Sequence, residues 1–318
     1  MTKVVTSSFN YPNGANQEFH LEYFVNMPGS RFNEPGAWAR EMEDAGWHGV
    51  CASDHFWVTD HPYPHVFVAA TQMACSTSKI KITSSFCNNL FRSPVEFAQG
   101  ALSVQQAAQG RFEAGLGAGW AEAEMKAIGM AYPEPPERIG MYIEAMTIAG
   151  QIIKTNQCQF SGNYYQIDIS GDNFVGPRLA NPPALVGSAG GPRGIREITP
   201  LVDRIEVKAS ARSTRGGAID LGIMATVTED EVKRNIERVR KINNDIPIGI
   251  FILTAAGDNK AVNSMKGMMG NGFLGNFMGH PADVAFALES LNDLGISRVQ
   301  LTEFAAGSHD ALAPALLA

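Results

Sequence analysis

The chain has 318 residues, 45% hydrophobic and 18% charged, a balance that suits a compact protein with a large core. A net charge of −7 and a pI near 5.5 argue against nucleic acid or an anionic membrane as the main partner, so any anionic ligand needs a local site. No apolar run is long enough to cross a bilayer, and the polar start MTKVVTSSFNYPNGANQ lacks a signal-peptide core, so the cytoplasm is the expected compartment.

In chain order, short β-rich runs alternate with amphipathic helices. Strand one is expected at Phe19–Val25 and helix one at Glu34–Ala45, where Gly46 stops it. Strand two follows at His48–Ser53 and strand three at Ile80–Cys87. Ser93 and Pro94 then supply an N-cap and a first helical residue, and Gly110 closes that helix. After strand four, Arg111–Leu116, the residues Ile139, Tyr142, Ile143, Met146 and Ile153 recur at helical spacing. Residues 155–180, including CQFSGNYYQI, read as a small hairpin insertion turning at Gly162.

Strands five and six are expected at Ala184–Gly187 and Arg204–Lys208, and Thr228 with Glu231 forms a capping box. Strand seven is Ile248–Leu253. The glycine-rich stretch 257–280, with Met265, Met268, Met269 and Met278, reads as a mobile lid or a disordered loop. A helix over Pro281–Leu294, strand eight at Ser297–Leu301 and a last short helix complete the chain.

Eight strands alternating with helices predict one α/β domain over 1–318, a (β/α)8 TIM barrel with insertions after strands 4, 6 and 7. A doubly wound sheet would carry its glycine fingerprint after the first strand. Here Gly115, Gly117 and Gly119 belong to the fourth. Read from Gly115, G-x-G-x-x-G meets Trp120 where it needs a third glycine; read from Gly117, it meets Glu122.

In such a barrel the loops leaving the C-terminal ends of the strands build the active site. After strand two these loops begin SDHFW, which makes His55 with Asp54 the acid/base candidate. Asp54 would orient the imidazole, although adjacent strand residues point to opposite sides; a capping Asp54 beside a structural His55 is the alternative. GSAGGPRG after strand five resembles a phosphate cradle of successive backbone N–H groups, with Ser188, a helix start near Pro192, and Arg193. An ordinary glycine-rich turn reads the same way. In GLGAGWAEAE the glycines permit close packing or ligand approach, and Glu122 and Glu124 favour the helix dipole.

Phe56, Trp57, Phe91 and Trp120 fall in these loops and outline an apolar pocket for a planar ligand. Asp54 and Glu303 are the strand-end carboxylates. Neither the histidines nor the four cysteines show ligand-like spacing, so no metal is expected.

At these residues the chain resembles the luciferase-like monooxygenase superfamily of flavin- and deazaflavin-dependent barrel enzymes. SDHF, FRSPVEFA, GRFEAGLGAGWAEAE, PPERIGMYIEAM, SAGGP and HPADVAFALESLNDLGISRVQL carry the resemblance, in order, along nearly the whole chain. It looks most like the short members assigned to coenzyme F420, with FMN as the alternative cofactor. The resemblance implies His55 as acid/base, Asp54 as a cofactor contact, and Ser85 and Phe86 behind the ring system across a non-proline cis bond. It further implies cofactor contacts at Ala118, Gly119 and Trp120, and a phosphate held by Ser188, Ala189, Gly190 and Gly191. A homodimer is the family-like expectation.

Two stretches depart from the family pattern, VQQAA at 104–108 and ASARSTRGG after Lys208; neither is expected to touch the cofactor. Some sugar-phosphate-oxidising relatives use a glutamate where this chain has Trp120, which argues against that substrate. The expected activity is hydride transfer between F420, its anionic tail met by Arg193 and Arg92, and a small, largely apolar organic substrate. An FMNH2-dependent monooxygenase of the bacterial-luciferase type and a non-catalytic flavin-binding protein are the alternatives.

Overall fold

In a computed structural model, which describes residues 21–58 and 61–317, eight parallel strands close into a barrel. They are β1 Glu22–Asn26, β2 Gly49–Ala52, β3 Lys81–Ser84, β4 Phe112–Gly117, β5 Ala184–Ala189, β6 Arg204–Lys208, β7 Ile248–Ala256 and β8 Arg298–Glu303. Each pairs in parallel with the next. β8 returns to β1 with Glu22 beside Arg298, and β4 meets β5 with Glu113 beside Ala184. The (β/α)8 expectation holds. Phe19 and His20 of the expected first strand, and the polar N-terminus, lie outside the described residues.

Local chemistry sets most of the boundaries. Gly46 ends α1 (Pro35–Ala45) at φ 92°, in the left-handed region that glycine enters without strain. The Ser93 side chain accepts the Glu96 N–H at the start of α3, Pro94–Ala107. The helix between them, α2 (Val66–Ser76), has no expectation in the sequence. Six of its eleven residues are buried apolar ones, so no polar face marks a period.

After β4 come α4 (Glu122–Ala127) and the long α5 (Pro135–Thr155). The hairpin Cys158–Ser161 with Gln166–Ile169 follows, its turn fastened where Glu144 of α5 accepts the N–H groups of Asn163, Tyr164 and Tyr165 at 2.7, 2.9 and 3.1 Å. Next in order are α6 (Pro192–Ile198), α7 (Leu221–Ala225) and α8 (Glu229–Ile242), the last opened by the Thr228–Glu231 capping box.

The stretch 257–280 is not an open polar loop. It holds α9 (Lys260–Met269), a 3-10 turn at Phe273–Phe277 and a bridge that pairs Met278–Gly279 with Ala255–Ala256 of β7. Of the four methionines read as a lid, Met269 and Met278 are buried together with Phe273 and Phe277, Met265 is partly buried, and Met268 is exposed. α10 (Pro281–Glu289) and α11 (Ser308–Leu316) finish the chain. Among the described residues no helix is long and apolar enough to cross a membrane.

The lumen is polar as well as packed. Arg298 is fully buried, with its guanidinium 3.8 Å from the centre of the Phe24 ring, and it donates to both Glu113 and Glu22. Burial would raise both carboxyls; Arg298 overrides it, helped at Glu22 by Lys81, and holds Glu22 near 2 and Glu113 below the ordinary carboxylate range.

Candidate active site

β2 ends at Ala52, and the two residues expected to work together diverge immediately. Both Asp54 oxygens accept from the Arg92 guanidinium, and Oδ2 also accepts the Asn88 N–H at 2.7 Å. The Asp54 and Arg92 side chains are each 6% exposed. Asp54 is therefore not the partner of His55; its carboxylate ties the end of β2 to the loop after β3. The same pair corrects the expectation that Arg92 meets an anionic tail, because its charge is already neutralised.

The partner of His55 is Glu124, at the start of α4. His55 Nδ1 lies 2.9 Å from Glu124 Oε2, while Oε1 accepts the Phe56 N–H in a short hydrogen bond and the Trp57 N–H at 3.4 Å. Glu124 is 4% exposed and stands in the first turn of α4, as the dipole reading expected. Tyr63 and Trp120 meet the imidazole edge to face, with centroids at 5.3 and 5.5 Å. Phe56 packs on Phe91 at 4.9 Å beside them. Glu124→Gln is expected to leave the fold intact while lowering kcat at least about tenfold and moving its pH profile, since the amide no longer fixes the imidazole tautomer. An unchanged kcat–pH curve would separate Glu124 from His55.

Ser85 and Phe86 follow β3 across a cis peptide bond, and the chain rejoins β4 at Cys87–Asn88. The glycines of GLGAGW make room for this bend. A Cβ on Gly115 would fall 1.9 Å from the Ser84 carbonyl oxygen, and one on Gly117 would fall 3.3 Å from the Phe86 Cβ. Gly119, at φ 82°, turns the chain against Asn88. The glycine run thus packs two strand ends together before it meets any ligand.

Ala118, Gly119 and Trp120 share one cavity of about 540 Å³ with Ser188, Ala189, Gly190, Gly191 and Arg193. Asp54, His55, Ser85 and Phe86 are not in its lining. The backbone N–H of Ser188 is engaged, donating to the Tyr142 hydroxyl at 2.9 Å, so the cradle begins one donor later than expected.

The sequence reading missed the basic wall of this cavity. Arg138, Lys208, Arg212, Arg215, Arg234 and Arg238 join Arg193 there, against a single carboxylate, Glu231, which Arg212 pairs at 3.0 Å. Two of these come from ASARSTRGG, the departing segment that was expected to stand clear of the cofactor. Arg234 and Arg238 sit four apart on α8, a spacing that places them on one face and was available as a signal.

Burial and the Arg138 charge push the Lys208 ammonium below its ordinary pKa. Ser210 Oγ, also in the lining, is buried without a partner, and a Cβ on Gly191 would meet no atom within 4 Å. An unsatisfied hydroxyl and an open glycine in a cationic pocket fit an anionic group.

Glu303, the other strand-end carboxylate, accepts the His309 N–H at 2.9 Å at the start of α11 and is raised by burial. Among the described residues no group of three or more His, Cys, Asp or Glu side chains is placed to hold a metal.

The family model for luciferase-like monooxygenases matches residues 16–262. The chain belongs to the luciferase-like monooxygenase family. An F420-dependent glucose-6-phosphate dehydrogenase of Kineococcus radiotolerans is 31% identical over 158 residues, 48% of this chain and 46% of the relative. A 5,10-methylenetetrahydromethanopterin reductase of Archaeoglobus fulgidus is 24% identical over 197 residues, 61% of this chain and 53% of the relative. The chain thus matches about half the length of these curated relatives.

Solved structures overlay on nearly the whole chain. An F420-dependent secondary alcohol dehydrogenase in complex with an F420-acetone adduct covers 94% of this chain and 99% of its own, with TM-score 0.73 and 17% identity. A long-chain alkane monooxygenase covers 95% and 92%, with TM-score 0.65 and 12% identity. At such identities the likeness shows the shared fold.

Proposed function

We propose that this luciferase-like protein binds coenzyme F420 across the ends of β3, β4 and β5 and exchanges hydride between it and a small, largely apolar organic substrate. The observation that supports this most is the basic cavity, where six arginines and a lysine face one glutamate next to the Gly119–Trp120 turn. A single phosphate leaves most of those charges unmet, whereas the anionic tail of F420 would answer them. The name of the Kineococcus relative and that of the alcohol dehydrogenase neighbour support an F420 enzyme, while the alkane monooxygenase neighbour supports the alternative.

The N–H groups of Ala189, Gly190 and Gly191, with Lys208 and Ser210, would hold the phosphate, and Gly119 with Phe86 would border the ring. Once bound, the cofactor supplies hydride chemistry. His55 manages the proton. With Nδ1–H donated to Glu124, Nε2 is left as an acceptor that takes a substrate hydroxyl proton as hydride leaves carbon, and returns it in the reverse direction. Tyr63, Trp120, Phe91 and Phe56 favour an apolar substrate around it, and Trp120 offers no acid for a sugar phosphate.

Titration of the purified protein with F420 and with FMN, followed by tryptophan fluorescence, tests the proposal. F420 is expected to bind more tightly, and its affinity to fall more steeply as salt screens the arginines. Saturable FMN binding without an F420 response favours the monooxygenase reading, which the family name supports.

A further inference from the structure

Beneath the strand ends, the lumen holds polar groups that the proton chemistry at His55 leaves unused. Glu206 of β6 is 1% exposed, and neither carboxyl oxygen has a hydrogen-bond partner of good geometry. The carboxyl lies over Gly249 of β7, where a Cβ would come within 2.2 Å of it. It faces the side-chain amide of Gln300 of β8, itself fully buried and with Nε2 otherwise unpartnered. At the other end of that amide, Oε1 accepts the Ser85 hydroxyl in a short hydrogen bond, with Cys51 Sγ 3.9 Å away. A continuous polar chain therefore runs from Glu206 to the bend after β3.

We propose that Glu206, Gln300 and Ser85 form a relay in which the proton on Glu206 decides whether Ser85 offers an acceptor or a donor to the cofactor ring. With Glu206 ionised, Gln300 Nε2 donates to the carboxylate, Oε1 accepts from Ser85, and the Ser85 lone pairs are left for a ring N–H. With Glu206 protonated, its O–H donates to Oε1 of a turned-over amide, Nε2 donates to Ser85 Oγ, and the Ser85 O–H is left for a ring atom carrying negative charge. Only the proton on Glu206 is exchanged with solvent; the others change partners. The relay rests on the proposed cofactor position, and Glu206 acts through Ser85 as a positioning residue.

The surroundings single out Glu206 as the titrating group. Burial pushes it up to about 7 against the pull of Arg298 and Arg204, with Glu113 adding to the rise. Glu113 and Glu22 stay ionised under Arg298, and burial keeps the Cys51 thiol protonated. Lys81 is paired with Glu22. β5 and β7 present Ser188 and Gly249 beside Glu206. Lys208, further along β6, is lowered by burial and Arg138, so the comparison that isolates Glu206 is wild type against variant.

Glu206→Gln fixes the chain in one charge state, and Gln300→Leu cuts it while keeping the carboxyl. Because the folded pKa is raised, the stability Glu206 contributes is complete in acid and is lost as pH rises through about 7. Without cofactor, the wild-type Tm is therefore expected to drop by about 2 degrees more than that of Glu206→Gln between about pH 6 and about pH 8.5. In equilibrium binding of F420 and FMN over that range, wild-type Kd is expected to change about tenfold and that of both variants by less than about twofold.

A Glu206→Gln binding profile that follows wild type overturns the relay. Identical unfolding profiles overturn the titration of Glu206. Failure of wild type to bind either cofactor overturns the cofactor reading instead, and the unfolding measurement tells the two failures apart.

Discussion

His55→Ala is expected to lower turnover by roughly 10²–10⁴-fold while leaving cofactor affinity nearly unchanged, because that range is what a positioned acid or base contributes. His55 is not in the lining of the basic cavity, so its removal takes no donor from the anion site. What it removes is a titratable ring held between a buried carboxylate and two aromatic rings. Measuring kcat beside cofactor Kd separates the possibilities. An unchanged kcat at saturating substrate takes His55 out of the mechanism, and lost cofactor binding makes it a structural residue. Glu124→Gln should move in the same direction by less, since it disturbs the orientation of the imidazole and leaves the imidazole in place.

Asp54→Ala is expected to cost about 3–5 kcal/mol of stability, the usual consequence of leaving one member of a buried ion pair without its counter-charge. Arg92, 6% exposed, would keep its guanidinium buried with only the longer 3.6 Å contact from Nε to the half-exposed Glu96, and the Asn88 N–H would lose its acceptor as well. Against a typical total of about 5–15 kcal/mol, that is a large share. Denaturant unfolding checks it. A loss under about 1 kcal/mol would mean that the pair behaves like an exposed one. The contrast with His55 is diagnostic: neighbours in sequence, one is expected to report on rate and the other on folding.

The barrel was legible because βα alternation and capping residues are local signals. Ser93-Pro94, the Thr228–Glu231 box and the glycines at 46 and 110 carry their own geometry, and they fall where expected. α2 was not legible, since a helix buried on most sides loses its polar stripe. The strand-end loops lie where they were expected, and the side-chain pairs within them do not. Adjacency suggested Asp54 for His55, but side chains alternate along an extended chain, and the carboxylate that arrives is Glu124, from 69 positions away. Arg92 and Asp54 find each other for the same reason, over 38 positions. The arginine wall gathers charges from four separate segments, each unremarkable alone, and an overall charge of −7 hides it.

Tyr142 of α5 is completely buried, and its hydroxyl donates to the Leu116 carbonyl at 2.7 Å while accepting the Ser188 N–H. One phenol therefore bolts the end of β4 to the end of β5, ahead of the turn at Gly119 and ahead of the cradle at Gly190 and Gly191. The distance between those two turns is fixed by the protein itself. On the proposed cofactor reading the pair would work as a gauge: a ligand with a flat head and an anion would be sorted by the length of the tether joining them, before its head-group chemistry is consulted. A tether too short must give up one seat, and one too long must buckle into the wall.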